Sequence, residues 1–297
     1  MYLNNKMYKD FLEECEKGKK LSQHTLKAYR IDLQQFVEYQ KEKDINRQEI
    51  IQYMYVLNER FQPKTVKRKM ATLHAFFEYL EFIGTIEKNP MDKIKYKMKQ
   101  EKKLPRVIDR SQLNALYQVL YHTENENSLR DCAVIELLLS TGIRVSELCC
   151  LKTKDVNLSE HYIRVYGKGS KERIIYLGNE QVIKILKEYH KKRGDSIFFF
   201  TNRNQNHISD QSVRNIIKEY TKKAGIQDKI TPHMFRHTFA TMLLEENVDI
   251  RYIQNILGHS SISTAEIYTH ISTMKQKDIM INNNPRNTIY YEIRKEI

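Results

Sequence analysis

Residues able to handle a phosphodiester recur within residues 231–270. His233 and Arg236 are three positions apart, His259 follows a glycine, and Tyr268 comes nine residues after His259. An arginine presents a fork of donors that matches phosphate oxygens, and a phenol beside it can act as a nucleophile. Brought together by short helices, these side chains would form a site for attack on phosphorus by Tyr268.

The pair His233 and His237 also invites a metal interpretation, since the two are four residues apart. A zincin has Glu directly after the first His, whereas Met234 stands here, and no acid or Cys lies at third-ligand spacing. The sequence also contains no G-x-S-x-G, Walker A or G-x-G-x-x-G motif. We therefore predict neither a metal nor a nucleotide cofactor.

The composition favours a polyanionic partner. The chain of 297 residues has 50 Lys and Arg against 37 Asp and Glu, a formal charge of +13. Such a balance suits nucleic acid because Lys and Arg displace counterions from phosphates. Many basic proteins bind no nucleic acid, so charge alone leaves both interpretations open.

The location of the protein follows from its cysteines and apolar runs. The four cysteines form no C-x-x-C pair, which favours a reducing compartment. The first ten residues lack an apolar h-region, and the apolar run 132–139 is short and contains Glu136. We expect a cytoplasmic protein that does not enter a membrane.

The first part of the chain has the period of amphipathic helices. One is predicted from Leu21 onward with Ser22 as its N-cap, and a second after Pro63. Cations at the start of this second helix oppose its dipole, which a bound phosphate backbone would explain; a solvated face is the alternative. The cations proposed to bind DNA here are Lys64, Lys67 and Arg68.

A basic segment then divides the chain. Residues 93–106 carry seven basic side chains against one acid, without an apolar period. We predict an N-terminal helical DNA-binding domain over 1–92, a basic linker over 93–106 and a C-terminal domain over 107–297. A basic linker between two helical domains is where a clamp around a duplex would cross the backbone, and a solvated tether is the alternative. The linker lysines expected to contact DNA are Lys97, Lys99, Lys102 and Lys103.

The second part predicts a buried helix, a junction and a hairpin. The run DCAVIELLLS reads as a buried helix that stops at Gly142. Arg144 follows in an apolar context and needs a partner, either Glu147 one turn on or an anionic ligand. Two β-type runs, 162–166 and 173–177, flank a turn with Lys168 at its tip.

In combination these motifs resemble the tyrosine recombinase and integrase family, most closely its Xer-like branch. The resemblance covers nearly the whole chain and rests on TGIRVSEL (141–148), YGKGSKER (166–173), HMFRHTFATMLLE (233–245) and LGHSSISTAEIYTH (257–270). It implies a mainly α fold: an N-terminal helical SAM-like core-binding domain and an α-helical catalytic domain with a small antiparallel sheet.

The resemblance also implies a role for each site residue. Arg144 and Arg236 would clamp the scissile phosphate, and Lys168 would protonate the leaving 5′ oxygen. His233 would manage the proton of the attacking phenol, His259 would donate to a phosphate oxygen, and Tyr268 would form a 3′-phosphotyrosyl link. Glu147 would orient its neighbours.

The family further implies a tetramer on double-stranded DNA recombination sites. It would be a homo-tetramer, or a hetero-tetramer with a related recombinase, working through a Holliday junction. Chromosome or plasmid dimer resolution and mobile-element integration or excision use the same residues. A non-catalytic DNA-binding protein and a topoisomerase-like enzyme are the alternatives.

The C-terminal tail has an apolar face. Ile289, Ile293 and Ile297 are spaced four apart. Family members dock such a segment on a neighbouring subunit, and packing on its own domain is the alternative.

Overall fold

Two compact units make up the chain. The computed structural model describes residues 5–40, 45–94, 105–167, 172–258 and 273–290. The first unit spans Met1–Lys103 and the second Leu104–Ile297. Each unit has its own buried hydrophobic core.

The described part of the first unit is helical. Its helices are α1 (Asn5–Lys17), α2 (Gln23–Tyr39), α3 (Arg47–Arg60) and α4 (Pro63–Phe82). Ser22 caps α2, since its hydroxyl oxygen accepts a hydrogen bond from the backbone N of Thr25 at 3.3 Å. The apolar stripe of α4, from Val66 to Leu80, is buried as its spacing predicts.

The second unit is helical around one small sheet. Its helices are α5 (Arg110–His122), α6 (Ser128–Thr141), α7 (Val145–Cys149), α8 (Glu180–Lys192), α9 (Asp210–Lys223), α10 (Pro232–Glu245), α11 (Ile250–Leu257) and α12 (Thr273–Asn282). Its strands are β1 (Val156–Asn157), β2 (Tyr162–Tyr166) and β3 (Glu172–Tyr176), and 3-10 turns cover Thr153–Asp155 and Pro285–Thr288. The predicted fold class, mainly α with a small antiparallel sheet, is confirmed.

The sheet is antiparallel in the order β1-β2-β3. Ile163 lies opposite Ile175, and Val165 lies opposite Arg173. Directly opposed residues share one face of a sheet, and here that face is the buried one, since Ile163, Val165 and Ile175 are all in the core. Arg173 therefore occupies an inward-facing position.

Helix α6 runs through the middle of the second core. Every residue from Asp131 to Thr141 is buried, which explains why the run reads as apolar on all sides. The helix ends at Gly142 in the left-handed conformation, at φ 60°, which a glycine adopts without strain.

The buried carboxylate of Glu136 on α6 is paired with an arginine of the C-terminal segment. Glu136 is fully buried and accepts hydrogen bonds from Arg286 Nε at 3.0 and 2.7 Å. Tyr117 and Tyr121 donate their hydroxyls to the same carboxylate. Ile289 is buried in this unit, whereas Ile293 and Ile297 lie outside the described residues.

Candidate active site

Arg144 lies between the end of α6 and the start of α7. It is the N-cap residue of α7, and Glu147 in the first turn accepts from its backbone N at 3.0 Å and from its Nη1 at 2.9 Å. Its guanidinium also reaches two backbone carbonyls, Leu257 O at 3.4 Å and Gly258 O at 3.1 Å. The side chain remains 38% exposed, so a ligand can reach it.

Glu147 is shared between two arginines. Besides Arg144, it accepts from Nη1 and Nη2 of Arg173 at 2.9 and 2.8 Å. Burial by itself raises the pKa of Glu147, but the hydrogen bonds and charge of Arg173, followed by those of Arg144, outweigh burial and leave the pKa lowered. The carboxylate is therefore ionised at neutral pH and holds both cations.

Arg236 lies deeper than Arg144. It belongs to α10, is buried, and donates to Gly142 O at 2.8 Å and to Leu257 O at 2.7 Å. Burial lowers its pKa to about 10, and the positive charges of Arg144 and Arg173 act in the same direction while Glu147 opposes them. A guanidinium with that pKa is still protonated at pH 7.

The three arginines converge on the C-terminal end of α11. They donate to the carbonyls of Ile256, Leu257 and Gly258, which carry the negative end of the helix dipole. Gly258 is left-handed at φ 65° and closes the helix. Since His259 is the next residue, the arginine cluster lies at the start of the segment that leads to Tyr268.

The two histidines of α10 form a pair beside this cluster. The ring centroids of His233 and His237 are 5.3 Å apart, and His233 is the exposed member. Burial lowers the pKa of His237, and the nearby His233 and Arg236 lower it further. His237 is thus neutral at pH 7 and supports His233 by packing.

The remaining predicted catalytic residues, Lys168, His259 and Tyr268, lie outside the described residues. Of the predicted set, the structure brings together Arg144, Glu147 and Arg236.

Some of the cations predicted to bind DNA lie within the described residues and others lie outside them. Lys64, Lys67 and Arg68 are exposed at the start of α4, although Arg68 also pairs with Asp32 of α2. Lys69 is buried and donates to Asp32 at 2.8 Å, so this cation has a structural reason to oppose the helix dipole. The linker lysines Lys97, Lys99, Lys102 and Lys103 are outside the described residues.

Arg173 is a site residue that the sequence prediction missed. The turn signal of the hairpin points to Lys168, whereas Arg173 follows from the alternation along β3. That alternation places Arg173, Ile175 and Leu177 on one face, and a cation on an apolar face requires a partner. This pattern is the signal that would have found it.

Comparison with known families assigns both units. The phage integrase family model matches residues 106–275, and the model of the phage integrase N-terminal SAM-like domain matches residues 8–82. The first match covers more than half of the chain. The protein therefore belongs to the phage integrase family.

Related proteins align over almost the whole length. A tyrosine recombinase of Agathobacter rectalis is 45% identical, with 95% of this chain and 97% of that protein covered. Tyrosine recombinase XerD of Listeria innocua is 37% identical, with 95% and 99% covered. The family resemblance drawn from the motifs is confirmed.

Solved structures share the fold. XerH bound to palindromic difH substrate, in a post-cleavage complex, superposes with a TM-score of 0.70 at 24% identity, covering 90% of this chain and 82% of that one. A lambda integrase tetramer bound to a Holliday junction gives 0.70 at 18% identity, covering 90% and 77%.

In the part of the chain that the structure describes, no helix is long and apolar enough to cross a membrane.

Proposed function

We propose that this protein is a site-specific tyrosine recombinase, which cuts and rejoins DNA strands through a 3′-phosphotyrosyl intermediate and a Holliday junction. The observation that carries the proposal is the sharing of one carbonyl, Leu257 O, by Arg144 and Arg236. Two guanidiniums held at one point form a clamp for the two non-bridging oxygens of a phosphodiester.

In this reaction the arginines stabilise the negative charge on the non-bridging oxygens of the transition state. Backbone carbonyls take up some of the N–H donors of each guanidinium and fix its orientation, so a phosphate oxygen meets remaining N–H groups that are already oriented. Fixed cations thereby fill the role that metal ions play in many phosphoryl-transfer enzymes.

Proton transfer falls to the residues around the clamp. A free phenol has a pKa of about 10 and is a weak nucleophile near pH 7 unless a base and cations assist it. We assign the phenol to Tyr268, the base to His233, and the donor to the leaving 5′ oxygen to Lys168. His259 donates to a phosphate oxygen. The phosphotyrosine retains the energy of the diester, so a free 5′ hydroxyl of another strand reverses the step without ATP.

We further propose how the domains share the work. Residues 1–92 bind DNA through Lys64, Lys67 and Arg68, the basic linker 93–106 crosses the phosphate backbone, and residues 107–297 carry out the chemistry. Strand exchange needs four active sites on two duplexes, supplied by a homo-tetramer or a hetero-tetramer with a related recombinase. Ile289 packs in its own unit, so only the part of the tail beyond it is proposed to dock on a neighbouring subunit. The enzyme acts in the cytoplasm.

The test is covalent trapping on a nicked duplex. Candidate sites, or a pool of genomic fragments, are nicked near the cleavage position so that the 5′-hydroxyl fragment diffuses away, and a denaturing gel reports the protein–DNA band. We expect the band with the wild type and its loss with Tyr268→Phe. A band from Tyr268→Phe would show that another nucleophile acts, and no band from the wild type on any pool would favour a protein that only binds DNA.

A further inference from the structure

Arg173 is a cation placed inside the second core. It sits on the buried face of the sheet opposite Val165, and its side chain is only 13% exposed. An isolated charge in such a place is costly unless hydrogen bonds and an opposite charge compensate it. Its partners therefore indicate what it is for.

The guanidinium makes three hydrogen bonds to two elements of the site. Nη1 and Nη2 bind the two oxygens of Glu147 side by side at 2.9 and 2.8 Å, and Nε donates to Ile256 O of α11 at 2.9 Å. Gly258 lies so close that a Cβ there would be 2.9 Å from Arg173 Nη1. One side chain thus joins strand β3 to α7 and to the end of α11.

Arg173 also sets the charge that a phosphate meets. Arg144, Arg173 and Arg236 together carry +3, and Glu147 carries −1, which leaves +2 in the described cluster. Without Arg173 the sum is +1, and Glu147 has Arg144 as its remaining ion-pair partner. The carboxylate would then neutralise the cation that is needed at the scissile phosphate.

We propose that Arg173 is a positioning residue for strand cleavage, which holds Glu147 so that Arg144 faces the phosphate and fixes the end of α11 from which the chain runs to His259. The inference rests on the proposed function, because it assigns Arg144 to the scissile phosphate. Arg173 acts through Glu147 and the α11 carbonyl and does not itself touch the DNA.

A lysine cannot replace this arginine. Its single ammonium is a point charge and cannot bind both carboxylate oxygens and the carbonyl of Ile256 in one plane. We expect Arg173→Lys and Arg173→Met to lower the single-turnover rate of adduct formation by about 10- to 100-fold, by analogy with the loss of residues that orient metal ligands. DNA affinity should change little, since contacts to the phosphate backbone elsewhere dominate it.

The pH profile separates this role from a loss of folding. Loss of Arg173 removes the strongest interaction that lowers the pKa of Glu147, so that pKa rises. The rate requires ionised Glu147. As pH decreases, the rate of Arg173→Met should therefore begin to fall at a higher pH than the rate of the wild type. A purely structural defect lowers the rate at every pH without changing the pH at which the rate begins to fall.

A double variant tests the route through Glu147. Once Glu147→Gln has removed the carboxylate, Arg173→Met should cost only the part that depends on the Ile256 carbonyl, and the combined loss should be below the product of the two single losses. Arg164→Met, on strand β2 opposite Ile174, is the matched control and should keep the wild-type rate and pH profile.

These measurements also distinguish the two proposals. An adduct with Tyr268→Phe contradicts the proposed nucleophile whatever Arg173 does. If the wild type forms the adduct and Tyr268→Phe does not, while both Arg173 variants cleave at the wild-type rate and pH dependence, the role given to Arg173 is wrong. Multiplicative losses in the double variant would contradict it as well. Where Arg173→Met does not fold, Arg173→Lys provides the rate and the pH profile.

Discussion

At the scale of single residues, Arg236 has the most demanding of the proposed roles, that of a ligand of the scissile phosphate. Its guanidinium is buried, keeps its charge with a pKa of about 10, and spans two carbonyls that belong to different elements, Gly142 O and Leu257 O. Such a group is oriented before substrate arrives, which is the condition for stabilising a transition state.

Replacing Arg236 by lysine tests this orientation. The ammonium can satisfy only one of the two carbonyls, and burial disfavours its charge, so we expect adduct formation to fall by about 100-fold or more. Single-turnover cleavage of the nicked duplex gives the rate, and circular dichroism confirms folding. Arg251→Lys, an exposed arginine on α11, is the control. A wild-type rate for Arg236→Lys would exclude Arg236 as a phosphate ligand.

Residue spacing predicts some of these contacts and misses others. Arg144 and Glu147 are three apart at a helix start, which makes Glu147 one of the two predicted partners, and the structure contains that ion pair. Arg173 meets the same carboxylate from 26 residues away, across a strand pairing whose register depends on the folded sheet. The sequence shows only that the alternation along β3 turns Arg173 inward. It therefore predicts that Arg173 has a partner but not which residue that partner is.

At the scale of elements, two left-handed glycines close the helices that end at the site. Gly142 ends α6 and Gly258 ends α11, and the carbonyl of each accepts from an arginine. A Cβ on Gly142 would lie 2.6 Å from Phe239 Cδ1 and 2.7 Å from Leu257 Cδ2. This position therefore requires both the conformation of glycine and its lack of a side chain.

Gly142→Ala should lower the free energy of unfolding by about 2 to 4 kcal/mol, combining left-handed strain with overpacking. Urea unfolding of the two proteins provides the measurement. Gly225→Ala is the matched control, because its φ of 69° is similar but no atom lies within 4 Å of its Cβ position, so it should lose only about 1 kcal/mol. Equal losses for the two variants would mean that Phe239 and Leu257 yield without cost.

The sequence predicts the positions of several helices well. It does not predict the contacts that a helix makes with residues far along the chain. The apolar period predicts α2 and α4, and the glycine predicts the end of α6. Glu136 in the apolar run of α6 gives no indication of its cation, since Arg286 lies 150 residues further along the chain. Local pattern determines the element, and tertiary packing determines its partners.

At the scale of the whole molecule, the excess of positive charge predicts how binding depends on salt. Lys64 and Lys67 are exposed on α4, and we propose that each meets a phosphate. Each lost phosphate contact reduces the slope of log binding constant against log salt concentration by about 0.9. The double variant Lys64→Gln/Lys67→Gln should therefore reduce the slope by about 2.

Fluorescence anisotropy with a labelled duplex over a range of salt concentrations measures that slope. Lys17→Gln is the control in the same unit, since Lys17 already pairs with Glu13 on the surface of α1. The assignment of α4 to DNA would have to be abandoned if the double variant kept the wild-type slope.

The buried pair of Glu136 and Arg286 also bears on how the protein is made. A ribosome adds about 5 to 20 residues per second, so the 150 residues between the two are synthesised in about 8 to 30 seconds. Throughout that interval the nascent α6 has its carboxylate but not its cation. The core of this unit, as the structure has it, is complete only after Arg286 and Ile289 have been synthesised.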